Sequence, residues 1–350
     1  MVKPTLLRAA AAEVADRSAP TNLPETGDLE LVLDVQGKLL EGPVWDGRTN
    51  QLHFVDINNQ QIHTFDPYAP ADAPDRHTNM DMPEPVAFIT LTAHPGELIA
   101  AMERSAVLVD LKTKSTVRTI ATTPESHGTE GYRFNDGKPS PSGILVGGRK
   151  HESSEEPGGK RGRIYKLDWK PDPQQSEWVE IVGTEEVQLP NGMAWNLNSG
   201  EMYLNDSVYD GINPAAGVVW AYTVNEEGMP MRDADGKLQR RVVTTYSPDD
   251  GVPDGLTVDS QARIWLARAK GSAVLCIDAQ TGQELHRIDM PVEMPTACAF
   301  GGKDLSDLYI TTTCMGGGKG AGGLWRYRLP GLVGWHPAYP ALQQTEWREQ

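Results

Sequence analysis

Short apolar pairs and triplets rich in β-branched and aromatic residues recur along the chain, each introduced by Gly, Asn or Ser, and helical periodicity is almost absent after Ala15. The pattern predicts an all-β protein. Six units superimpose: Leu52-His53-Phe54-Val55, Leu98-Ile99-Ala100, Ile144-Leu145-Val146, Met202-Tyr203-Leu204, Ile264-Trp265-Leu266 and Leu308-Tyr309-Ile310. They fall roughly 45 to 60 residues apart, the period of a four-stranded propeller blade. A further strand follows the anchor, as in Gln61–Phe65, Arg163–Leu167, Ala273–Ile277 and Gly323–Tyr327. Six such units close a ring without a long exposed edge, so the expected fold is a single six-bladed β-propeller spanning residues 28–340. Leu29–Val35 is then spare, and is expected to complete the blade that contains Leu308–Ile310. The longer spacings place insertions at about 152–162, a charged and Gly-rich surface loop, and at about 225–239. Residues 1–27 read as a disordered or helical arm and 341–350 as a tail.

The chemistry lies about ten residues before each anchor, where the strand lining the central channel begins. Unit one has Glu41-Gly42-Pro43, unit three Asn135-Asp136-Gly137, unit four Asn191-Gly192 and unit five Asp254-Gly255. Equivalent positions in a closed ring face one axis from the same end, so Glu41, Asn135, Asn191 and Asp254 are expected to converge. Two carboxylates with amide oxygens and no thiolate suit one hard divalent cation, Ca²⁺, Mg²⁺, Mn²⁺ or Zn²⁺, with open positions for water or substrate. Taken singly, an Asn-Gly or Asp-Gly dipeptide is a tight turn far more often than a site. Their coincidence at one repeat register, beside Trp45 and Trp195, carries the functional reading.

Composition narrows the partners. A net charge of −16 and a pI near 4.9 exclude a phosphate-backbone partner, which needs clustered Lys and Arg. No stretch approaches the roughly 20 apolar residues of a membrane-spanning helix. Cys276, Cys298 and Cys314 have neither disulfide nor zinc spacing and are expected to be buried thiols. The expectation is an intracellular, cytoplasmic monomer or weak dimer acting on a small molecule. No Gly-x-Ser-x-Gly elbow occurs, and His53 and His63 read as packing residues on strand faces.

The series Leu40-Glu41-Gly42-Pro43-Val44-Trp45, Phe54-Val55-Asp56-Ile57, Arg133-Phe134-Asn135-Asp136-Gly137-Lys138, Asn191-Gly192-Met193-Ala194-Trp195, Pro253-Asp254-Gly255 and Cys298-Ala299-Phe300-Gly301-Gly302 resembles the regucalcin/gluconolactonase family of propellers, also called senescence marker proteins. The resemblance runs in order from about Leu31 to Leu329. It implies Glu41, Asn191 and Asp254 as metal ligands and Arg133 and Asn135 as substrate-orienting residues. Two departures bear on substrate: Ser140 stands where the family usually has Asp, and Gly148-Arg149-Lys150 replaces Gly-Thr-Met. The segment Gly148–Glu152 is expected over the pocket mouth, where the adjacent cations Arg149 and Lys150 favour a substrate or product bearing an anionic group, with Arg149 able to bind a carboxylate bidentately.

The expected reaction is hydrolysis of a sugar-type lactone to the aldonic acid. The cation polarises the carbonyl, Arg133 and Asn135 hold the sugar, and Asp254 serves as general base toward water. Two alternatives stand beside it: a metal-dependent esterase or phosphotriesterase on the same site, and a Ca²⁺-binding regulatory propeller without turnover.

Overall fold

The computed structural model describes Leu23 and residues 27–329 and 332–334, except 157, 171, 173–174, 197 and 212–215. The expected arm at 1–27 and tail at 341–350 therefore lie almost wholly outside the described residues. A latch strand, β1 (Leu29–Leu33), precedes the blades. Blade one is β2 (Leu40–Asp46), β3 (Gln51–Asp56), β4 (Gln61–Phe65) and β5 (His77–Asp81); blade two is β6 (Phe88–Leu91), β7 (Glu97–Ala101), β8 (Ser105–Asp110) and β9 (Ser115–Thr122). Blade three is β10 (Tyr132–Pro139), β11 (Leu145–His151), β12 (Arg163–Asp168) and β13 (Glu177–Val182). Blade four is β14 (Pro190–Asn196), β15 (Glu201–Tyr209), β16 (Ala216–Thr223) and β17 (Arg240–Tyr246). Blade five is β18 (Val252–Val258), β19 (Ile264–Ala269), β20 (Ala273–Ile277) and β21 (Glu284–Asp289). Blade six is β22 (Pro295–Gly301), β23 (Asp307–Thr312) and β24 (Leu324–Arg328), with β1 as its fourth strand.

The six-bladed propeller expected from the repeat is the fold. The six anchors fall on the second strand of each blade. Leu29 pairs with Tyr327 and Glu30 with Arg326, so the N-terminal strand closes the ring in the sheet that holds Leu308–Ile310. This ties the N-terminal strand to the last blade and gives that blade its fourth strand.

Alternating side chains place one apolar layer at each blade junction. Val55, Ile62 and Met80 of blade one meet Ile89, Leu98 and Val107 of blade two. At the closing junction Trp45 stacks on Tyr309, centroids 6.0 Å apart, above Phe54 and Leu324. His53 and His63 pack as expected. Burial holds both rings down at about 4, hence neutral, with His53 Nδ1 2.9 Å from Thr64 Oγ1 and His63 stacked on Phe54. Cys276 and Cys298 are buried, but Cys314 is exposed, because it opens a short 3-10 turn outside the sheet.

Both insertions are more ordered than loops. Residues 152–155 form a 3-10 turn whose Ser154 is buried and donates to the Lys160 carbonyl at 2.7 Å. The outer insertion folds back through bridges Val224–Pro230 and Arg232–Leu238.

Candidate active site

The polar residues singled out by the repeat lie in β-bulges, not turns. Pairing of the innermost strand with the second strand skips between Glu41 and Val44, Phe134 and Asp136, Pro190 and Met193, and Pro253 and Leu256. A bulge leaves a residue unpaired and re-aims its side chain. The glycine that follows makes this possible. Gly42 has φ +52°, a left-handed conformation. A Cβ on Gly192 would lie 2.3 Å from the Leu256 nitrogen and 2.6 Å from the Asp254 carbonyl oxygen. Blades four and five approach this closely only because Gly192 has no side chain.

Acidic residues on the second strands of blades one and four fix the chain just before their bulges. Asp56 accepts from the Lys38 and Leu39 amides at 2.9 and 3.1 Å, setting the backbone that delivers Glu41. Asp206 accepts from the Gln188 and Leu189 amides at 3.0 and 2.7 Å, two residues ahead of Asn191. The Asp56 backbone clamp of blade one is thus repeated at Asp206 in blade four.

Asn191 joins blades four and five. Its Nδ2 donates to Asp254 Oδ1 at 2.6 Å and to Ser207 Oγ at 3.0 Å, which leaves the carbonyl Oδ1 as the atom for a ligand. Ser207 donates onward to the Pro253 carbonyl at 2.7 Å, and the Asn205 amide donates to the carbonyl of Asp254. Burial pushes the Glu41 carboxyl well above the usual carboxylate range, and the negative charges of Asp254 and Asp136 push it the same way. Asp254 keeps some exposure toward the mouth. Even so, the surrounding protein raises it to about 7, against the opposing hydrogen bond from Asn191. Asp136 is raised by burial and offset by Lys138, whose Nζ donates to the Leu256 carbonyl at 2.9 Å.

Glu41, Asp254 and Asp136 bring three mutually repelling carboxylates toward the axis, a negative charge only partly offset by Arg133 and Lys138. Asn205 Oδ1 is buried there without a hydrogen-bond partner. Both observations fit a cation held by Glu41, Asn191 and Asp254. Among the described residues no group of three His, Cys, Asp or Glu gathers at one point, so an amide oxygen is needed to complete the set.

Arg133 and Asn135 form the next layer. Arg133 Nη1 donates to the Phe134 carbonyl at 2.8 Å and to Asn135 Oδ1 at 3.2 Å, while Asn135 Nδ2 donates to the Pro190 carbonyl at 3.1 Å. Asn135 therefore bridges blades three and four and steadies the guanidinium, whereas the repeat placed it among the ligands. Arg133 is desolvated, and its charge interacts with Glu41 and Asp254. Beyond this polar ring the inner strands enclose an apolar cavity lined by Val44, Phe88, Ile89, Leu91, Leu256 and Ala299, with Asp136 and Lys138 as its charged residues.

Arg149 requires a correction. It is fully buried, its guanidinium lying 5.5 Å from the Tyr132 ring centroid and 5.9 Å from that of Phe134, with Nη2 donating to the Gly128 carbonyl. It packs between blades two and three and does not line the pocket, because successive strand residues face opposite sides. Its neighbour Lys150 takes the other side. Sequence reasoning also missed Asn205, Ser207 and a role for Asp136. The polar run Asn205-Asp206-Ser207 directly after the apolar anchor Met202-Tyr203-Leu204 was the one available signal for Asn205.

Residues 39–314 match the family model described as SMP-30/Gluconolactonase/LRE-like region. The chain is 34% identical to the pentonolactonase XacC of Haloferax volcanii over 294 residues, covering 83% of this chain and 86% of that protein. It is 29% identical to regucalcin of Danio rerio over 288 residues, covering 82% and 87%. The fold matches a solved structure described as a calcium-binding protein, regucalcin, from Agrobacterium tumefaciens, with a TM-score of 0.72 at 21% identity, covering 91% of this chain and 99% of that one. With six blades, a shared order of motifs and a match across most of its length, the chain belongs to the SMP-30/gluconolactonase/LRE-like family.

Proposed function

We propose that this protein hydrolyses a sugar-type lactone to the aldonic acid at the axial end that carries Glu41, Asn191 and Asp254. The observation that carries the reading is the meeting of two carboxylates, Glu41 buried and Asp254 partly so, with an oriented amide oxygen beside a desolvated arginine. The pentonolactonase relative supports the substrate class.

Glu41, Asn191 and Asp254 would hold one divalent cation, which supplies Lewis-acid polarisation of the lactone carbonyl. Arg133 spends one nitrogen on Phe134 and Asn135 and has further guanidinium donors for a sugar hydroxyl or ring oxygen. Asp254 takes a proton from water as the water oxygen bonds to the carbonyl carbon. The ring C–O bond then breaks, and the leaving oxygen takes up a proton to become the hydroxyl of the open hydroxy acid. Asn191 fixes the Asp254 carboxylate through the 2.6 Å bond.

The test is hydrolysis of pentono- and hexonolactones before and after chelation, with a simple aryl ester and a phosphotriester for comparison. Lactone turnover should exceed both comparators, vanish with chelator and return with a divalent ion. Turnover of the phosphotriester alone, or turnover indifferent to chelator, would overturn the reading.

A further inference from the structure

Lys150 lies directly across from Arg133 in the pairing of β10 with β11, so both cationic side chains leave the same face of blade three. Arg149 leaves the opposite face. Lys150 is 14% exposed, and its Nζ is 2.8 Å from Oε1 of Glu155, which is 59% exposed on the 3-10 turn. Against its partial burial, Glu155 is held below the ordinary glutamate range by Lys150 first and by Lys270 and Arg133 as well. Lys150 stands across the ladder from Arg133, and the charges of Lys150 and Glu155 both act on Asp254, so the pair borders the candidate site.

The geometry points to an anion-recognition site at the pocket mouth. We propose that Lys150, backed by Arg133, selects lactones carrying a carboxylate substituent, and that Glu155 occupies this position until such a ligand displaces it. The proposal rests on the lactonase reading and adds its substrate class. The carboxylate of Glu155 shows the group that the cations accommodate. Glu155 is displaceable because an exposed ion pair contributes little, whereas a ligand already anchored by its ring presents its carboxylate at high effective concentration. A single flexible ammonium accepts the anion over a range of ring sizes, where a bidentate arginine would demand one geometry.

The experiment measures calorimetric dissociation constants of D-gluconate, with one carboxylate, and D-glucarate, with two, on the metal-loaded protein, in wild type, Lys150→Met and Glu155→Gln. Methionine keeps the unbranched stem and removes the charge; Glu155→Gln alters an exposed residue and guards against misfolding of the first variant. The preference for glucarate should fall about tenfold in Lys150→Met, the loss of one charge-assisted bond, and rise severalfold in Glu155→Gln. A preference unmoved in both variants, or moved in the same direction in both, overturns the proposal. Hydrolysis of D-glucono-1,5-lactone by the same preparations separates the two readings. Hydrolysis with an unmoved preference removes the anion site alone, and a shifted preference without hydrolysis removes the lactonase reading alone.

Discussion

Blades two and four are built on one plan and do opposite jobs. In blade two the pairing of β6 with β7 runs unbroken from Phe88–Ala101 to Leu91–Leu98, and the residues just ahead of it, Val86 and Ala87, are apolar and buried. In blade four the pairing of β14 with β15 breaks between Pro190 and Met193, and Asn191 occupies the break. Where blade two has Ala101 and Met102, blade four has Asn205 and Asp206. The broken ladder leaves backbone groups without their usual partners, and side chains take over: Asp206 clamps the amides of Gln188 and Leu189, and Asn205 and Ser207 reach the backbone of blade five. Blade two contributes packing instead, its Phe88 ring meeting Phe134 edge-on with centroids 5.9 Å apart. A propeller supplies six equivalent axial positions, and in blade four a bulge with its clamp carries the polar side chain of Asn191 at one of them.

Three changes test that contrast. The largest effect is expected from Asp254→Asn, which keeps the shape of the bulged residue but removes both charge and basicity. Lactone turnover should fall by about a hundredfold or more, with weaker divalent-ion binding by calorimetry. Near-wild-type turnover would sink both roles given to Asp254.

Next in size is Gly192→Ala, whose new methyl would press on the backbone of Asp254 and Leu256. It should cost about 1–3 kcal/mol in urea unfolding and weaken metal binding together. Gly183→Ala, where the nearest atom is the Glu180 carboxylate oxygen at 3.1 Å, is the comparison and should cost under about 1 kcal/mol. Equal costs at the two positions would show that close approach of blades four and five is not what Gly192 provides.

The third effect is a pH response in the blade-four clamp. Burial raises Asp206 to about 7, despite its two amide donors. In the unfolded chain an aspartate titrates at about 3.9, so between these values the folded state holds the extra proton. The stability this gives is fully present below about 3.9 and is lost as pH rises through 7. Between pH 5 and 8 the metal-free wild type should lose about 2 kcal/mol more unfolding free energy than Asp206→Asn. Parallel pH responses of the two proteins would mean that the clamp is ionised throughout.

Much of this architecture was legible in the residues. The repeat of Leu52–Val55 through Leu308–Ile310 located the second strand of every blade, because a strand buried on both faces must be apolar wherever it recurs. The same register pointed to Glu41, Asn191 and Asp254, since equivalent positions in a ring face one axis. The partners that hold them were not legible. Asn205, Ser207 and Asp136 stand among strand residues, and the carbonyls they or their neighbours contact lie up to 118 residues away in sequence, as between Lys138 and Leu256.

The sequence by itself determined the blade number and a latch strand from Leu29, expected to Val35 and observed to Leu33, because these follow from period and polarity alone. Only the tertiary structure decided that Asn191-Gly192 and Asp254-Gly255 are bulges, that Asn135 braces Arg133, and that Lys150 rather than Arg149 turns toward the site. The physical reason is the strand's period of two: one unpaired residue between Phe134 and Asp136 resets which side chains face the pocket, and nothing in the run of residue types marks where that residue falls.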